Sequence, residues 1–292
     1  MKKCRLYSAN FVDSAIKNMI YYARDSLFLQ LLGGVRLSRI LVTSCKGGVG
    51  KSTVSIGIAT ALAVMGRRVL LIDFDLGNRS LDLMLGMQDD IIYDIADLAS
   101  GRAEPEDVVK VHHTYPNLAF IGAPFRYEGD ISEEGFKTAL EKLDETFEFD
   151  YIIVDTSGGA HESVSLSAPS CDSAIIVSSQ SPIAIRAAEK SGIILDEYSI
   201  EEQFLIVNGF DMGAERRAGV LEMIDRTRTP LLGIVPMDVK LSVLNEDGKN
   251  IFDSKKCNSR TAFENIARRL VGESVPLLRG FVGIKRDKIL FR

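Results

Sequence analysis

Residues 45–53, CKGGVGKST, put three glycines, two lysines and two hydroxyl side chains within nine positions. Gly47, Gly48 and Gly50 let a backbone close round phosphate oxygens, where a β-carbon would obstruct the approach. Lys51 can reach terminal phosphates as a point charge, and Ser52 carries a hydroxyl suited to Mg²⁺. The run stands between the strand-like "RILVTS" (39–44) and the helical "STVSIGIATALAVMG" (52–66). At such a junction the first amides of a helix favour an anion. The first glycine of the pattern Gly-x-x-x-x-Gly-Lys-Ser/Thr is replaced by Cys45, and a further lysine, Lys46, occupies a position the pattern leaves free.

Two later runs end in carboxylates. "RVLLIDFD" (68–75) closes on Asp73 and Asp75, and "DYIIVDTSGG" (150–159) carries Asp155. Ligands of parallel sheets sit beyond the carboxyl ends of the strands. Alternate residues share a strand face, so Asp73 and Asp75 are both expected to turn toward the phosphates. An acidic residue in the place of Asp155 holds Mg²⁺ through a water, while Gly158 and Gly159 let the next loop move.

The elements that position these groups are legible. Besides the three strands above, "NLAFIG" (117–122), "SAIIVSS" (173–179), "QFLIVN" (203–208) and "LLGIVP" (231–236) read as strands. They are nearly uniformly apolar, as strands covered on both faces are. Helical segments such as "EEGFKTALEKLDETF" (133–147) alternate with them. The pattern predicts an α/β fold, a three-layer, doubly wound, mostly parallel sheet in one domain over residues 39–278.

Both ends depart from that rhythm. Residues 11–32 space Val12, Ile16, Met19, Ile20, Ala23 and Leu27 as an amphipathic helix within an extension over 1–38, closed by Gly33 and Gly34. The tail 279–292 mixes apolar and basic residues and fits a helix or a hairpin turning at "KRD". Residues 1–39 hold seven basic side chains against Asp13 and Asp25, whereas the whole chain has net charge -5. An acidic body argues against a general attraction to nucleic acid. Cys4, Cys45, Cys171 and Cys257 form no Cys-x-x-Cys pair, which argues against a zinc ribbon or a cluster-binding pair. With no secretory signal pattern and no apolar run long enough to span a bilayer, a soluble, intracellular protein is expected.

"KGGVGKST" together with "LLIDFDLGNRSLDLMLG" (70–86) resembles the MinD/ParA family of deviant Walker A P-loop ATPases, most nearly its MinD branch. The resemblance covers most of the chain and implies an ATP/ADP site with Mg²⁺ in a P-loop NTPase fold. Carried over residue by residue, Lys46, Gly47, Gly48, Val49, Gly50, Lys51, Ser52 and Thr53 bind the phosphates. Asp75 positions the attacking water, and Ser52, Asp73 and Asp155 serve the metal. Asn208, Pro236, Met237 and Asp238 border the base. Lys46 crosses an ATP-dependent homodimer interface to the partner subunit's nucleotide.

The resemblance also implies slow, partner-stimulated hydrolysis, an activator or inhibitor protein of the division-site system, and a cytoplasmic protein peripheral to the inner face of the membrane. Contact with anionic lipid is assigned to residues 11–32 or 279–292. Two departures from the family are visible: Ser80 stands for its asparagine, and Ser157 for the proline after the acidic strand. The alternatives left by the sequence are a DNA-partitioning switch and a flagellar or pole-placement relative.

Overall fold

A computed structural model describes residues 38–159, 161–211, 219–277 and 279–282. The expected helix over 11–32, the tail beyond residue 282 and most of the basic run 214–220 lie outside the described residues. Among the described residues eight strands follow in chain order: β1 Ser38–Thr43, β2 Val69–Phe74, β3 Lys110–Val111, β4 Leu118–Ile121, β5 Tyr151–Thr156, β6 Ser173–Ser178, β7 Glu202–Phe210 and β8 Leu231–Pro236. The helices used below are α1 Lys51–Val64, α2 Leu81–Leu85, α3 Ile95–Ala99, α4 Pro105–Val108, α5 Glu133–Thr146, α6 His161–Ser167, α7 Pro182–Glu197, α8 Val220–Thr227, α9 Val239–Glu246 and α10 Asn258–Leu270.

The strands form one sheet in the order β3-β4-β2-β5-β1-β6-β7-β8. Every pairing is parallel except β3 with β4. Parallel neighbours need crossovers, and helices supply them on both faces. One core layer joins Leu41, Leu70, Ile72 and Val154 to the α5 and α7 side; the other joins Ile40, Val42, Leu71 and Ile153 to α1 and α10. Strand residues therefore alternate between two dry layers, which is why their sequences read as unbroken apolar runs.

β1 lies at the centre, between β5 and β6, so the loop after it opens where the sheet's connections diverge. α1 is buried along nearly its whole length, from Val54 to Ala63, and is apolar on all sides. It can be so only because it is sandwiched between the sheet and α10. That packing aims its N-terminus at the carboxyl edge of β1. Each of the seven expected strands forms, with ends shifted by at most two residues; β3 is additional.

Candidate functional site

The loop from Ser44 to Gly50 is built around an open helix end. Gly50 takes φ 86, a left-handed conformation costly for any other residue, and stands at the N-cap of α1. No side chain caps this end and no acid occupies the first turn, so the first-turn amides face the loop without a side-chain acceptor. An anion satisfies such amides and the helix dipole together.

Neighbouring elements hold the loop in shape. Asn208, from β7, donates its Nδ2–H to the Val49 carbonyl at 2.8 Å. Asn245, from α9, donates to Thr53 Oγ1 at 3.1 Å, and the Cys45 amide donates to Ser191 Oγ on α7 at 2.9 Å. Lys46 donates its Nζ proton to the Gly47 carbonyl at 3.1 Å, on the exposed lip. Gly158 brings the loop after β5 against this one: a β-carbon there would lie 2.6 Å from Gly47 Cα and 3.0 Å from Lys51 Nζ.

The carboxylates behind the loop are buried. Asp73 on β2 and Asp155 on β5 are register partners, and neither is exposed at all. Asp155 Oδ1 accepts from Ser55 Oγ at 2.7 Å, while Oδ2 is buried with no hydrogen-bond partner among the described residues. Burial pushes the Asp155 carboxyl up to about 6, opposed by the Ser55 and Ser52 hydroxyls and the Lys51 charge. Burial, then the charge of Asp155, pushes Asp73 up to about 7, against the pull of three backbone amides. Burial also lowers the Lys51 ammonium, against the attraction of Asp155 and Asp75.

These shifts mark a pocket where paired carboxylates are held out of water and an added cation would relieve them. Hard oxygen donors at Ser52 and the unpartnered Asp155 Oδ2 are the chemistry that Mg²⁺ takes, so the residues fit the metal that the family implies.

The two aspartates of the second motif differ in placement. Asp73 Oδ1 accepts from the Asp75 amide at 3.0 Å, and Oδ2 accepts from the Ser80 and Leu81 amides at 3.1 and 3.0 Å. Both its oxygens therefore fasten the loop 75–81, where the strand pattern turns them to the phosphates and the resemblance assigns Asp73 to the metal. Asp75 lies beyond the end of β2, half-buried, and accepts from Asn78 Nδ2 at 3.1 Å. In the loop after β5, Ser157 and Ser163 hydroxyls bond each other at 2.8 Å, which ties the non-proline position to α6.

At the base side, Pro236 ends β8 and Met237 is 56% exposed. Asp238 is engaged by the protein: Oδ1 accepts from the Lys240 amide at 3.0 Å and Oδ2 from Ser259 Oγ at 2.8 Å. Ser55, Ser191 and Asn245 also support the site, and the sequence pattern does not single them out. Only Ser55 left a trace there, as a polar residue inside an apolar helix.

A phosphate loop after a central strand, a buried carboxylate on the neighbouring strand and a mostly parallel, helix-covered sheet define a P-loop NTPase. The model of the ParA family, described as NUBPL iron-transfer P-loop NTPase, matches residues 37–271, and the chain belongs to this MinD/ParA family of P-loop ATPases. It is 34% identical over 245 residues to the septum site-determining protein MinD of Bacillus subtilis, covering 82% of this chain and 90% of that one. MinD of Synechocystis is 33% identical over 82% of this chain and 91% of its own.

Among solved structures, MinD of the Aquifex aeolicus MinC:MinD cell division complex superposes with TM-score 0.77 at 32% identity, over 83% of this chain and 98% of that one. MinD of Pyrococcus horikoshii, complexed with Mg-ADP, gives TM-score 0.73 at 25% identity, over 80% and 96%. The iron-transfer description finds no Cys-x-x-Cys pair in this sequence.

Proposed function

We propose that the protein is a MinD-type switch in placement of the division site, which binds Mg-ATP, dimerises on it, contacts the membrane as a dimer and lets go on hydrolysis. The observation that carries the reading is the buried Asp155, with its unpartnered oxygen, behind the uncapped end of α1 and beside Lys51. Mg²⁺, when bound, neutralises charge on the phosphates as the terminal one is transferred to water.

The amides of Gly47–Thr53 and Lys51 bind the phosphates, and their charge stabilises the transition state more than the ground state. Ser52 and Asp155 would hold the metal. Asp75 orients the attacking water, and Asp73 fixes the loop that carries Asp75. No strong general base stands among the residues assigned to the site, which accords with slow turnover that a partner protein stimulates. Lys46, on the exposed lip, reaches across to the partner subunit's nucleotide, so that dimerisation follows nucleotide state. Asn208, Pro236, Met237 and Asp238 border the base.

One weak lipid contact binds marginally and two bind much better, so dimerisation itself gates membrane attachment. Residues 279–292 or 11–32 supply that contact. No helix among the described residues is long and apolar enough to cross a membrane. The MinC:MinD complex of Aquifex aeolicus supports a division-site protein as partner.

Co-sedimentation with anionic liposomes and with duplex DNA, each with ATP and with ADP, tests the reading. ATP-dependent lipid binding without DNA binding is expected. ATP-dependent DNA binding without lipid binding would replace it with a partitioning role.

A further inference from the structure

Four buried side-chain polar atoms have no hydrogen-bond partner among the described residues: Asp155 Oδ2 in the nucleotide site, and Arg39 Nε, Asp144 Oδ1 and Ser170 Oγ. The last three share one place. Arg39 pairs through Nη2 with Asp144 and donates through Nη1 to the Ser170 carbonyl at 3.5 Å. This is the amino-terminal edge of the sheet, one residue after Ser38, where residues 1–37 join the described fold. Buried polar atoms are nearly always satisfied in native proteins, so these three mark a place at the chain junction where water, a small rotation of the Arg39–Asp144 pair or a neighbouring segment completes the bonding.

The surface around that junction is acidic. Ser38 stands opposite Tyr151, Ile40 opposite Ser173, and Ser173 opposite Glu202, so β1, β5, β6 and β7 begin side by side. Glu148, Asp150, Asp172, Glu201 and Glu202 lead into these strands or open them, with Asp144 behind. Arg39, Arg67 and Arg68 lie among them, but Arg39 is held by Asp144, and Arg68 by Glu148 at 2.9 Å. Glu201 and Glu202 are exposed and make no ion pair among the described residues.

Residues 1–37 carry Lys2, Lys3, Arg5, Lys17, Arg24 and Arg36 against Asp13 and Asp25. A single exposed ion pair contributes little. A segment tethered at the rim meets it at an effective concentration on the order of millimolar, so several weak pairs act together. We infer that residues 1–37 dock on this acidic rim, their basic side chains pairing with Glu148, Asp172, Glu201 and Glu202. The inference goes beyond the switch proposed above. Its consequence there is that a basic segment held on the rim is withdrawn from anionic lipid, which leaves residues 279–292 as the lipid contact.

The test uses the full chain without nucleotide or lipid, so its outcome is separate from that of the ATP-switch reading. Tryptic cleavage at Arg24 and Arg36 is followed in the native protein and in E148K/E201K/E202K, at about 50 mM and about 500 mM NaCl. Docking predicts cleavage roughly tenfold slower in the native protein at low salt, with protection lost in the variant and at high salt. A zero-length carbodiimide should also join Lys2, Lys3 or Lys17 to Glu148, Asp172, Glu201 or Glu202 of the native protein. In a mixture of light and heavy chains those links should fall within one chain. The cross-links keep the test decisive where the variant fails to fold. Equal cleavage rates in native and variant, links only between chains, or protection that arises only with anionic vesicles would overturn the inference.

Discussion

The two edges of the central sheet share a feature and differ in what surrounds it. Each has buried polar side-chain atoms that the described residues leave unpartnered: Asp155 Oδ2 at the carboxyl edge, and Arg39 Nε, Asp144 Oδ1 and Ser170 Oγ at the amino edge. At the carboxyl edge the neighbours are a glycine loop, an uncapped helix end and a desolvated lysine, a combination suited to phosphate and metal. At the amino edge the neighbours are carboxylates and the junction with a basic segment. An unpartnered buried atom thus marks where bonding is left to be completed, and the charge and backbone freedom around it say what kind of group suits the place.

The comparison breaks first at Lys51. Replacing it with Ala should cut ATP turnover by about 10³-fold, as loss of a phosphate-neutralising group does, while tryptic protection of residues 1–37 stays as in the native protein. Coupled-enzyme phosphate release and digestion measure the two arms. Asp155→Asn should weaken Mg²⁺ dependence of nucleotide binding by roughly 10- to 100-fold. Titrating Mg²⁺ against a fluorescent nucleotide reads this.

Protonation separates the edges further. The raised carboxyls of Asp73 and Asp155, at about 7 and about 6, bind protons in the folded protein at pH values where the unfolded chain has released them. The nucleotide-free fold therefore holds more protons than the unfolded chain between about pH 4 and pH 7. Its stability should fall as pH rises through that window, by up to roughly 1.4 kcal/mol per pH unit for each group. Mg-nucleotide should flatten the slope, and so should Asp155→Asn. Denaturant unfolding at several pH values measures it; an unchanged slope in the variant would remove Asp155 from the account.

Smaller effects are expected from the supports. Arg39→Met strands Asp144 and should cost about 1–3 kcal/mol of stability, with ATP affinity unchanged within about twofold. Asn208→Ala removes the bond to the Val49 carbonyl and should weaken ATP by several-fold, about 1 kcal/mol. Unfolding midpoints and calorimetric titration distinguish the pair.

Much of this was legible in the sequence because both-sided burial writes itself as apolar runs, and the loop's glycines and lysines are consecutive. β3 was not, since two residues on an antiparallel edge have no periodicity to display. The separation of Asp73 from Asp75 was hidden as well. Strand alternation puts both on one face, but β2 ends at Phe74, and the loop then turns its own amides back onto Asp73. Asn245 reaches Thr53 across 192 positions, a contact that only the packing of α9 beside the loop creates.

The most direct measurement is sedimentation velocity of the native protein with Mg-ATP, with Mg-ADP, and with ATP plus chelator, alongside Lys46→Ala. The account predicts a dimer with Mg-ATP alone and a monomer in the other conditions and in the variant. A native protein whose assembly state is the same with Mg-ATP, Mg-ADP and chelated ATP would contradict it.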